Sequence, residues 1–382
     1  MSQLKKSERG PQSGERRGEQ NGERRSKERG IALLVVLSSL AVLTIIATDM
    51  QYNARIDATL AENGRDELIA YYNARAALEV ELAILRAIRQ AQAMVQQFLP
   101  GVPLPNLVGM IPTECSLIAN LITLQDDDTP LPIVGECSAK AIPEKGKIDV
   151  NRLGNVSDKF NIRTLLLGQF LDPRFDRYFE NQTSVGEHVT RDELVANLGD
   201  YTDLDTVKDG SSGDEDDVYA RQKDRYKVKN APFDSVAELQ LVYGVNDDVY
   251  EALKNTLTVY PVGGISLTTA DIATVAAVIR QCAVNPRDPT LYGDPMLTLL
   301  TQIMEMRKTP LASAILNSQG LTALALTVGI ALDSQKMKSL IDDSTAMDWY
   351  TIEASGQSNS VEKRVLATFN LAGNQLVYYR EE

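Results

Sequence analysis

The sequence is poor in the residues that build common catalytic and metal centres, since its 382 residues include one His, three Cys and one Trp. The cysteines, at 115, 137 and 282, form no CxxC pair, and His188 has no second His with which to form a ligand pair. Zinc sites of familiar spacing are therefore excluded. An anchored hydrolase is also the least favoured class, because no nucleophile elbow is present and His188 lies in a polar stretch that predicts a surface position.

Positive charge is in deficit as well, because 39 Lys and Arg stand against 52 Asp and Glu and the net charge is −13. Nucleic-acid binding needs clustered positive charge, so no nucleic acid is expected as a partner. The first thirty residues are the exception, with nine basic and five acidic residues. They contain Leu4 but no Ile, Val or aromatic residue. Such a segment cannot bury a face and is predicted to be a flexible basic leader.

Residues 31–48 (IALLVVLSSLAVLTIIAT) form an uncharged, mostly aliphatic run. As a helix, the run would rise about 27 Å at ~1.5 Å per residue, close to the thickness of the hydrocarbon core of a membrane. The basic leader before it and Asp49 after it predict a cytoplasmic N-terminus, with the remaining chain on the other side. The small residue of the junction, Gly30, precedes the run, so cleavage there would keep the apolar helix in the mature protein.

Residues 49–98 continue in helix-forming residues without a proline, and Gly64 is their one glycine. An apolar residue recurs every three or four positions, at Leu78, Leu82, Leu85, Ile88, Ala91 and Val95. This stripe predicts an amphipathic helix that packs one face on a core. Prolines at 100, 103 and 105 end it. We therefore expect one long helix, half in lipid and half against a folded domain.

The junction RGIALL, residues 29–34, resembles the leader-peptidase site of type IV prepilins and pseudopilins. By that resemblance, the prepilin peptidase would cut between Gly30 and Ile31 and methylate the new amino terminus. Most members of the superfamily carry Glu at the fifth mature position, where this sequence has Val35. In the family, that Glu is thought to neutralise the terminal ammonium of a neighbouring subunit. A chain with Val35 is therefore expected to start or cap a filament and to be a poor repeating subunit.

Three further segments resemble the minor pseudopilin K class of type II secretion. They are GKIDVNRL at residues 146–153, LGDYTDLDTVKDGSSGDEDDVY at 198–219 and NAPFDSVAELQLVYG at 230–244. The resemblance implies a non-enzymatic subunit at the tip of the secretion pseudopilus, anchored in the bacterial inner membrane with its bulk in the periplasm. The implied partners are the other minor pseudopilins, the major pseudopilin and the prepilin peptidase. The alternative is a minor type IV pilin, or an adhesin or binding protein displayed on a pilus.

The fold that the resemblance implies is α+β, a pilin-like fold whose long N-terminal transmembrane and amphipathic helix packs on an antiparallel sheet, with a large inserted all-α domain. The expected divisions are a cleaved leader at 1–30, the helix at 31–98 with 31–48 in the membrane, the first part of the pilin-like domain at 99–154, the inserted helical domain with its acidic loop at 155–262, a further helical segment at 263–340 and C-terminal strands at 341–382. Without the family, residues 349–354, 361–370 and 375–380 predict three strands, because Gly- and Asn-containing segments at 355–360 and 371–374 separate them.

Local signals predict helices in the middle of the chain. Spacing predicts capping boxes at Thr190 with Glu193 and at Ser235 with Glu238, and a further helix capped by Thr268 or Thr269. Residues 239–253 predict a helix, a turn at Gly244 and a second helix, a pattern shared with DNA-binding hairpins. The acidic residues around this turn would repel phosphate, so a structural helix pair is favoured.

Residues 200–217 hold eight acidic residues and one cation, Lys208. Carboxylates suit calcium, which accepts roughly six to eight oxygen ligands in irregular geometry. The EF-hand spacing fails here, so a site would have to be irregular, and the K-class resemblance also implies calcium in the helical domain. The ligands predicted for it are Asp200, Asp203, Asp205, Asp214 and Glu215. The alternative is an exposed acidic loop that its own charge keeps solvated.

The cysteines leave two possibilities open. Cys115 and Cys137 lie twenty-two residues apart and would pair across a strand hairpin in an oxidising periplasm, with Cys282 left over. Buried free thiols are the alternative, since spacing does not fix connectivity.

Overall fold

The structure is a computed structural model that describes residues 15–98, 108, 113–116, 134–180, 188–210, 212–309, 312–344 and 347–382. The chain divides into two compact units, Met1–Leu68 and Ile69–Glu382. The mixture of helices with an antiparallel sheet confirms the α+β class. The expected domain boundaries stay a prediction.

The first helix, α1, spans Glu15–Phe98. It begins inside the range predicted to be a flexible leader, because Glu, Arg, Lys and Gln in that range are good helix formers even without a buried face. Residues 31–48 are all exposed, and their mean hydropathy makes this the part of the described chain that could cross a membrane. The hydroxyl groups of Ser38, Ser39 and Thr44 donate to backbone carbonyls one turn earlier in the helix. These polar side chains therefore satisfy their own hydrogen bonds and suit an apolar environment.

The other helices of the described residues lie between Lys159 and Leu340. They are α2 Lys159–Gln169, α3 Asp176–Phe179, α4 Arg191–Thr202, α5 Asp216–Ala220, α6 Asp247–Leu253, α7 Ile272–Cys282, α8 Asp294–Arg307, α9 Ala312–Ile315, α10 Ser318–Thr327 and α11 Ser334–Leu340. Short 3-10 helices lie at Glu144–Gly146, Val150–Gly154, Pro173–Phe175, Val236–Leu241 and Pro289–Tyr292.

The strands form two sheets. They are β1 Thr113–Glu114, β2 Glu136–Pro143, β3 Ile148–Asp149, β4 Leu257–Thr258, β5 Trp349–Ser358, β6 Val361–Asn370 and β7 Gln375–Glu381. The five-stranded sheet has the order β1-β2-β5-β6-β7 and is antiparallel throughout. The other two strands, β3 and β4, pair in parallel at the two ends of the segment 148–258. The main sheet therefore combines strands that precede the helical region in the sequence with strands that follow it.

The second half of α1 packs on this sheet, as predicted. Its buried residues share one core with residues of β2, β5 and β6, namely Ala74, Ala77, Leu78, Leu82 and Leu85 with Cys137, Ala141, Tyr350, Ile352, Ala354, Val365, Ala367 and Phe369. The predicted stripe is buried as far as Ile88, but Ala91 is exposed and Val95 only half-buried. At that level the helix presents Gln92 to a small cavity that Tyr350 also lines, so the apolar contact has ended.

Small residues permit the closest contact between α1 and the sheet. A Cβ atom at Gly356 of β5 would collide with the backbone of Ala70 and Ala74. The helix and the strand therefore approach each other backbone to backbone, which needs glycine on one side and alanine on the other.

The three C-terminal strands are confirmed, but the predicted length of the first turn between them is wrong. Strand β5 continues through Ser358, so the turn is Asn359–Ser360 and not the whole of 355–360. Asn359 has a positive φ of 51°, which Asn tolerates better than most residues and which a two-residue hairpin turn requires. Glycine at 356 serves the close contact described above and not a turn.

A second, larger core fills the helical region between Ile148 and Ile341. Residues from both expected ranges, 155–262 and 263–340, contribute to it, including Leu165 and Leu194 from the first and Val278 and Leu299 from the second. The two ranges therefore share one hydrophobic core.

Two of the predicted helix caps are wrong. Ser235 makes no side-chain cap, because Glu238 instead accepts a hydrogen bond from the Asp234 amide and pairs with Lys229. The helix after Thr269 is capped by Asp271, whose carboxylate accepts from the Ala273 amide. In both places the side chain that binds a backbone amide is a carboxylate and not the predicted hydroxyl.

The chain enters the helical region after β2 and returns to the sheet at β5, and a partly buried ion pair joins these two segments. Lys145, just after β2, directs its Nζ atom 2.8 Å from Asp342 Oδ2 and 2.7 Å from the Ser344 carbonyl oxygen. Lys145 is almost completely buried. The pKa of Asp342 is lowered, because hydrogen bonds from Lys145 and the Ser344 amide outweigh the opposing effect of burial. The entry and exit segments of the helical region are thereby tied together.

Candidate functional site

Helix α4 carries the acidic segment into the core of the helical region. Thr190 and Glu193 form the predicted capping box at its start, with each side chain bound to the backbone of the other residue. At its other end, Asp200 is 3% exposed and Asp203 is the C-terminal cap. Two carboxylates one turn apart are therefore held on the inner face of a well-capped helix.

The loop that follows folds back on itself and delivers a third buried acid. Val207 and Asp214 form an isolated antiparallel bridge. Gly210 and Gly213 have φ angles of 77° and 148° within the turn. After Asp214 the chain enters α5, and Glu215, immediately before that helix, is only 2% exposed.

Two overlapping groups of carboxylates result. Asp203, Asp205 and Glu215 each have a ligand oxygen within 4.8 Å of the other two, and so do Asp200, Asp203 and Asp209. Asp203 belongs to both groups. Three carboxylates at such distances can share one cation.

Three oxygens of the first of these groups lack hydrogen-bond partners among the described residues. Both Oε atoms of Glu215 and Oδ1 of Asp203 are buried and make no hydrogen bond within the described residues. Burial, together with the nearby charges of Asp200, Asp203, Asp205 and Asp214, raises the pKa of Glu215 to about 8. A buried carboxylate without a partner is costly, and a bound cation removes that cost.

The second group has a cation of its own. Lys159, at the start of α2, places Nζ 2.9 Å from Asp203 Oδ2 and 2.6 Å from Asp209 Oδ2. Asp200 Oδ1 accepts a hydrogen bond of 2.9 Å from the Asp209 amide. Burial raises the pKa of Asp200 to about 6.

The structure distributes the five predicted ligands unevenly. It brings together Asp203, Asp205 and Glu215, and it places Asp200 in the neighbouring group. Asp214 belongs to neither group, and its Oδ1 accepts a hydrogen bond from the Asp216 amide at the start of α5. Asp209 is not among the predicted ligands, although it lies in the same acidic run. Lys159 has no local signal at all, because it is separated from Asp203 by 44 residues.

The residues present fit a hard divalent cation. The donors are carboxylate oxygens alone, which suit calcium and not the nitrogen and sulfur preference of zinc. In one group, Oδ1 of Asp203 and both Oε atoms of Glu215 are buried and find no hydrogen-bond donor among the described residues. Calcium binding at these residues stays a prediction.

The processing site lies within α1. Gly30 and Ile31 are both helical, and Val35 is 60% exposed on the same helix. No acidic residue occurs between positions 31 and 48, so the apolar run offers no carboxylate to a neighbouring chain.

The structure joins Cys115 and Cys137 as a disulfide, with their Cα atoms 5.0 Å apart. The bond links β2 to the residue that follows β1. Cys282, at the end of α7, is a buried thiol whose pKa is raised to about 12 by burial. His188 is exposed, in agreement with the prediction of a surface position.

Comparisons with known proteins find similarity to components of type II secretion systems. Residues 148–262 match the family described as Type II secretion system (T2SS), protein K. A curated relative, the type II secretion system protein K of Pectobacterium carotovorum subsp. carotovorum, is 33% identical over 85 residues. That match covers 22% of this chain and 26% of the relative, so the chain spans about a quarter of the length of this curated relative.

A solved structure is also similar, the crystal structure of the GspK-GspI-GspJ complex from the enterotoxigenic Escherichia coli type 2 secretion system. The sequences are 14% identical, the TM-score is 0.44, and the match covers 70% of this chain and 92% of that chain. The residues matched by the family, 148–262, include the whole of the acidic segment and the two parallel strands that close it. The similarity to the type II secretion system protein K family is therefore carried by residues 148–262.

Proposed function

We propose that this protein is a minor pseudopilin at the tip of the type II secretion pseudopilus, where it initiates or caps filament assembly for protein export across the outer membrane. The observation that carries the proposal is an exposed, uncharged helix with Val35 at the position of the assembly Glu, in a chain whose residues 148–262 match protein K.

The mechanism is physical. The apolar residues 31–48 expose every side chain and so provide a continuous surface for the helices of other minor pseudopilins and of the major pseudopilin. Without a carboxylate at Val35, the chain cannot neutralise the terminal ammonium of a subunit in the way that a repeating subunit does. The unit Ile69–Glu382 is bulky for a thin fibre and would block addition of a further subunit above it.

The route to that position begins at the inner membrane. The prepilin peptidase would cut between Gly30 and Ile31 on the cytoplasmic side and methylate the new terminus. The nine basic residues of the leader favour a cytoplasmic N-terminus, and the bulk of the chain then lies in the periplasm. An oxidising periplasm also suits the disulfide between Cys115 and Cys137.

We further propose that the protein has no catalytic activity and that calcium is a structural cofactor of the helical region. Calcium bound by Asp203, Asp205 and Glu215 would supply the positive charge that the buried Glu215 oxygens lack. The chain's own residues would then hold α4, the acidic loop and α5 together.

The alternative, a minor type IV pilin or a pilus-displayed adhesin, predicts different protein partners and a different effect of deletion. The match of residues 148–262 to protein K favours secretion over adhesion. Under the alternative, deleting the gene would leave secretion normal, and a pull-down with the protein would recover no pseudopilin.

The test is a secretion assay on a deletion strain complemented with the native chain or with Val35→Glu. Deletion should abolish export, and the native chain should restore it. The Val35→Glu chain should accumulate and be processed normally but restore less export, because it would enter the filament instead of ending it. Normal export from the deletion strain would overturn the proposal.

A further inference from the structure

We propose that the Lys159 ammonium permanently occupies one of two adjacent cation positions in the acidic segment, so that the protein binds a single divalent cation, at Asp203, Asp205 and Glu215. This inference rests on the proposed binding of calcium and specifies which carboxylates take part. It assigns Lys159 a role as a built-in counter-ion.

The first position is the group of Asp200, Asp203 and Asp209, whose ligand oxygens all lie within 4.8 Å of one another. The Lys159 Nζ atom is 2.9 Å from Asp203 and 2.6 Å from Asp209, distances at which an ammonium fully engages both carboxylates. A divalent cation bound there would have to displace this ammonium. The positive charge of the first position is therefore supplied by the chain itself.

The second position has no such cation. Within the described residues, no Lys or Arg nitrogen lies within 4.0 Å of a carboxylate oxygen of Asp205 or Glu215. Glu215 is 2% exposed, and neither of its carboxylate oxygens has a hydrogen-bond partner in the part of the chain that the structure describes. Oδ1 of Asp203 is likewise buried without a partner, whereas its Oδ2 accepts from Lys159. Asp203 thus directs one oxygen to each position.

The backbone makes room for the lysine. Gly199 lies in the middle of the last turns of α4, where glycine is less favourable for a helix than alanine by about 1 kcal/mol. A Cβ atom at Gly199 would lie 3.3 Å from Asp209 Oδ2 and 3.6 Å from Lys159 Cε. A methyl group there would crowd the Asp209 carboxylate and touch the lysine stem, so glycine at this position eases the close approach of Lys159 and Asp209.

The shared Asp203 explains why an ammonium is suited to the first position. Two divalent cations held by groups that overlap in one carboxylate would repel each other strongly across a poorly solvated site. A single positive charge in the first position still neutralises Asp209 and one oxygen of Asp203 and repels the neighbouring cation less.

The experiment is isothermal titration of the full-length protein, purified in detergent micelles and freed of metal with a chelator, with calcium chloride. The native chain should bind one calcium ion. Lys159→Met, which keeps the length of the side chain and removes its charge, should bind two, the second at least ten-fold more weakly. Glu215→Gln should lose the high-affinity binding of calcium. Lys254→Met, a partly exposed lysine paired with Glu251, is the matched control and should behave as the native chain does.

Two calcium ions on the native chain, or one on a folded Lys159→Met chain, would overturn the role of Lys159 and leave calcium binding intact. No calcium heat from the native chain would overturn both. Should Lys159→Met fail to fold, Asp209→Asn answers the same question. Its calcium affinity should stay within two-fold of the native value, and a ten-fold loss would make Asp209 a ligand and contradict the assignment.

Discussion

Two regions of this protein place side chains against the usual rule of burial, in opposite directions. Residues 31–48 expose an unbroken set of aliphatic side chains, whereas the acidic segment buries Glu215 and Asp203. Exposed apolar surface of this extent indicates apolar surroundings, and buried carboxylates indicate positive surroundings. The difference teaches that each region is specified for an environment that the chain alone does not supply.

A third region provides the reference for the comparison. Asp342 is only partly buried, Lys145 contacts it directly, and the pKa of Asp342 is lowered. The pKa of Glu215, with no contacting cation, is raised instead. The three regions together define experiments that introduce, remove or titrate charge in each.

The largest effect should come from charge placed in the apolar run. Replacing Leu40, which is 60% exposed, with Arg should disfavour membrane insertion by about 3–4 kcal/mol, because the apolar side chain favours the bilayer centre and the cation opposes it. The measurement is the fraction of protein that resists extraction from membranes at alkaline pH. Met94→Arg, at an equally exposed position of α1 outside the run, should leave that fraction unchanged. Equal extraction of the two variants would contradict the membrane assignment.

The second effect concerns the cation. At a calcium concentration about 100-fold above the dissociation constant, binding would stabilise the folded state by about 2.7 kcal/mol. A chelator should then lower the melting temperature of the full-length protein by roughly 5–10 °C. Glu215→Gln should melt at the same temperature with calcium or chelator.

The matched control for this measurement is Asp217→Asn, which removes the same charge from an exposed side chain two residues away. It should retain the full response to calcium. Identical melting temperatures of the native chain in calcium and chelator would exclude a structural cation.

A third, similar effect should follow from removing the cation of the reference pair. Lys145→Met should destabilise the fold by about 2–3 kcal/mol, less than the roughly 3–5 kcal/mol of a fully buried pair, because Asp342 is 33% exposed. Urea denaturation followed by Trp349 fluorescence is the measurement. Lys308→Met, which breaks an exposed pair with Glu305, should change the midpoint little. A Lys145→Met midpoint equal to that of the native chain would show that the pair does not hold the two ends of the helical region.

The smallest effect is the pH dependence of the same pair. Because the folded-state pKa of Asp342 is lowered, its contribution to stability is complete above the ordinary pKa near 3.8 and is lost as pH falls through the folded value. The stability advantage of the native chain over Asp342→Asn should therefore shrink below about pH 4. An advantage that stays constant from pH 6 to pH 3 would rule out this ionisation as its source.

Elements with a strong one-dimensional pattern were predictable. A local pattern of a few residues predicts each of three features: the apolar run, strands β5 and β6 with their alternating residues, and the capping box at Thr190. The acidic run likewise marked the place of the candidate site, since Asp203, Asp205 and Glu215 all lie in it.

Features that depend on distant parts of the chain were not predictable. The contact between Lys159 and Asp203 joins residues from different helices, and no local spacing indicates it. The close approach of Gly356 to Ala70 joins the C-terminal sheet to the first helix, so the glycine resembled a turn residue. The choice of Asp271 over Thr269 as a cap depends on where the chain enters α7, which tertiary packing decides.

The central claim, that this chain ends a filament and does not repeat within it, is tested most directly by labelling. Pseudopili from cells that overproduce the major pseudopilin can be labelled with a gold-conjugated antibody against a tag at the C-terminus of this chain and viewed by electron microscopy. If this chain ends the filament, one gold particle should lie at one end of each filament. Gold distributed along the filament length would contradict it.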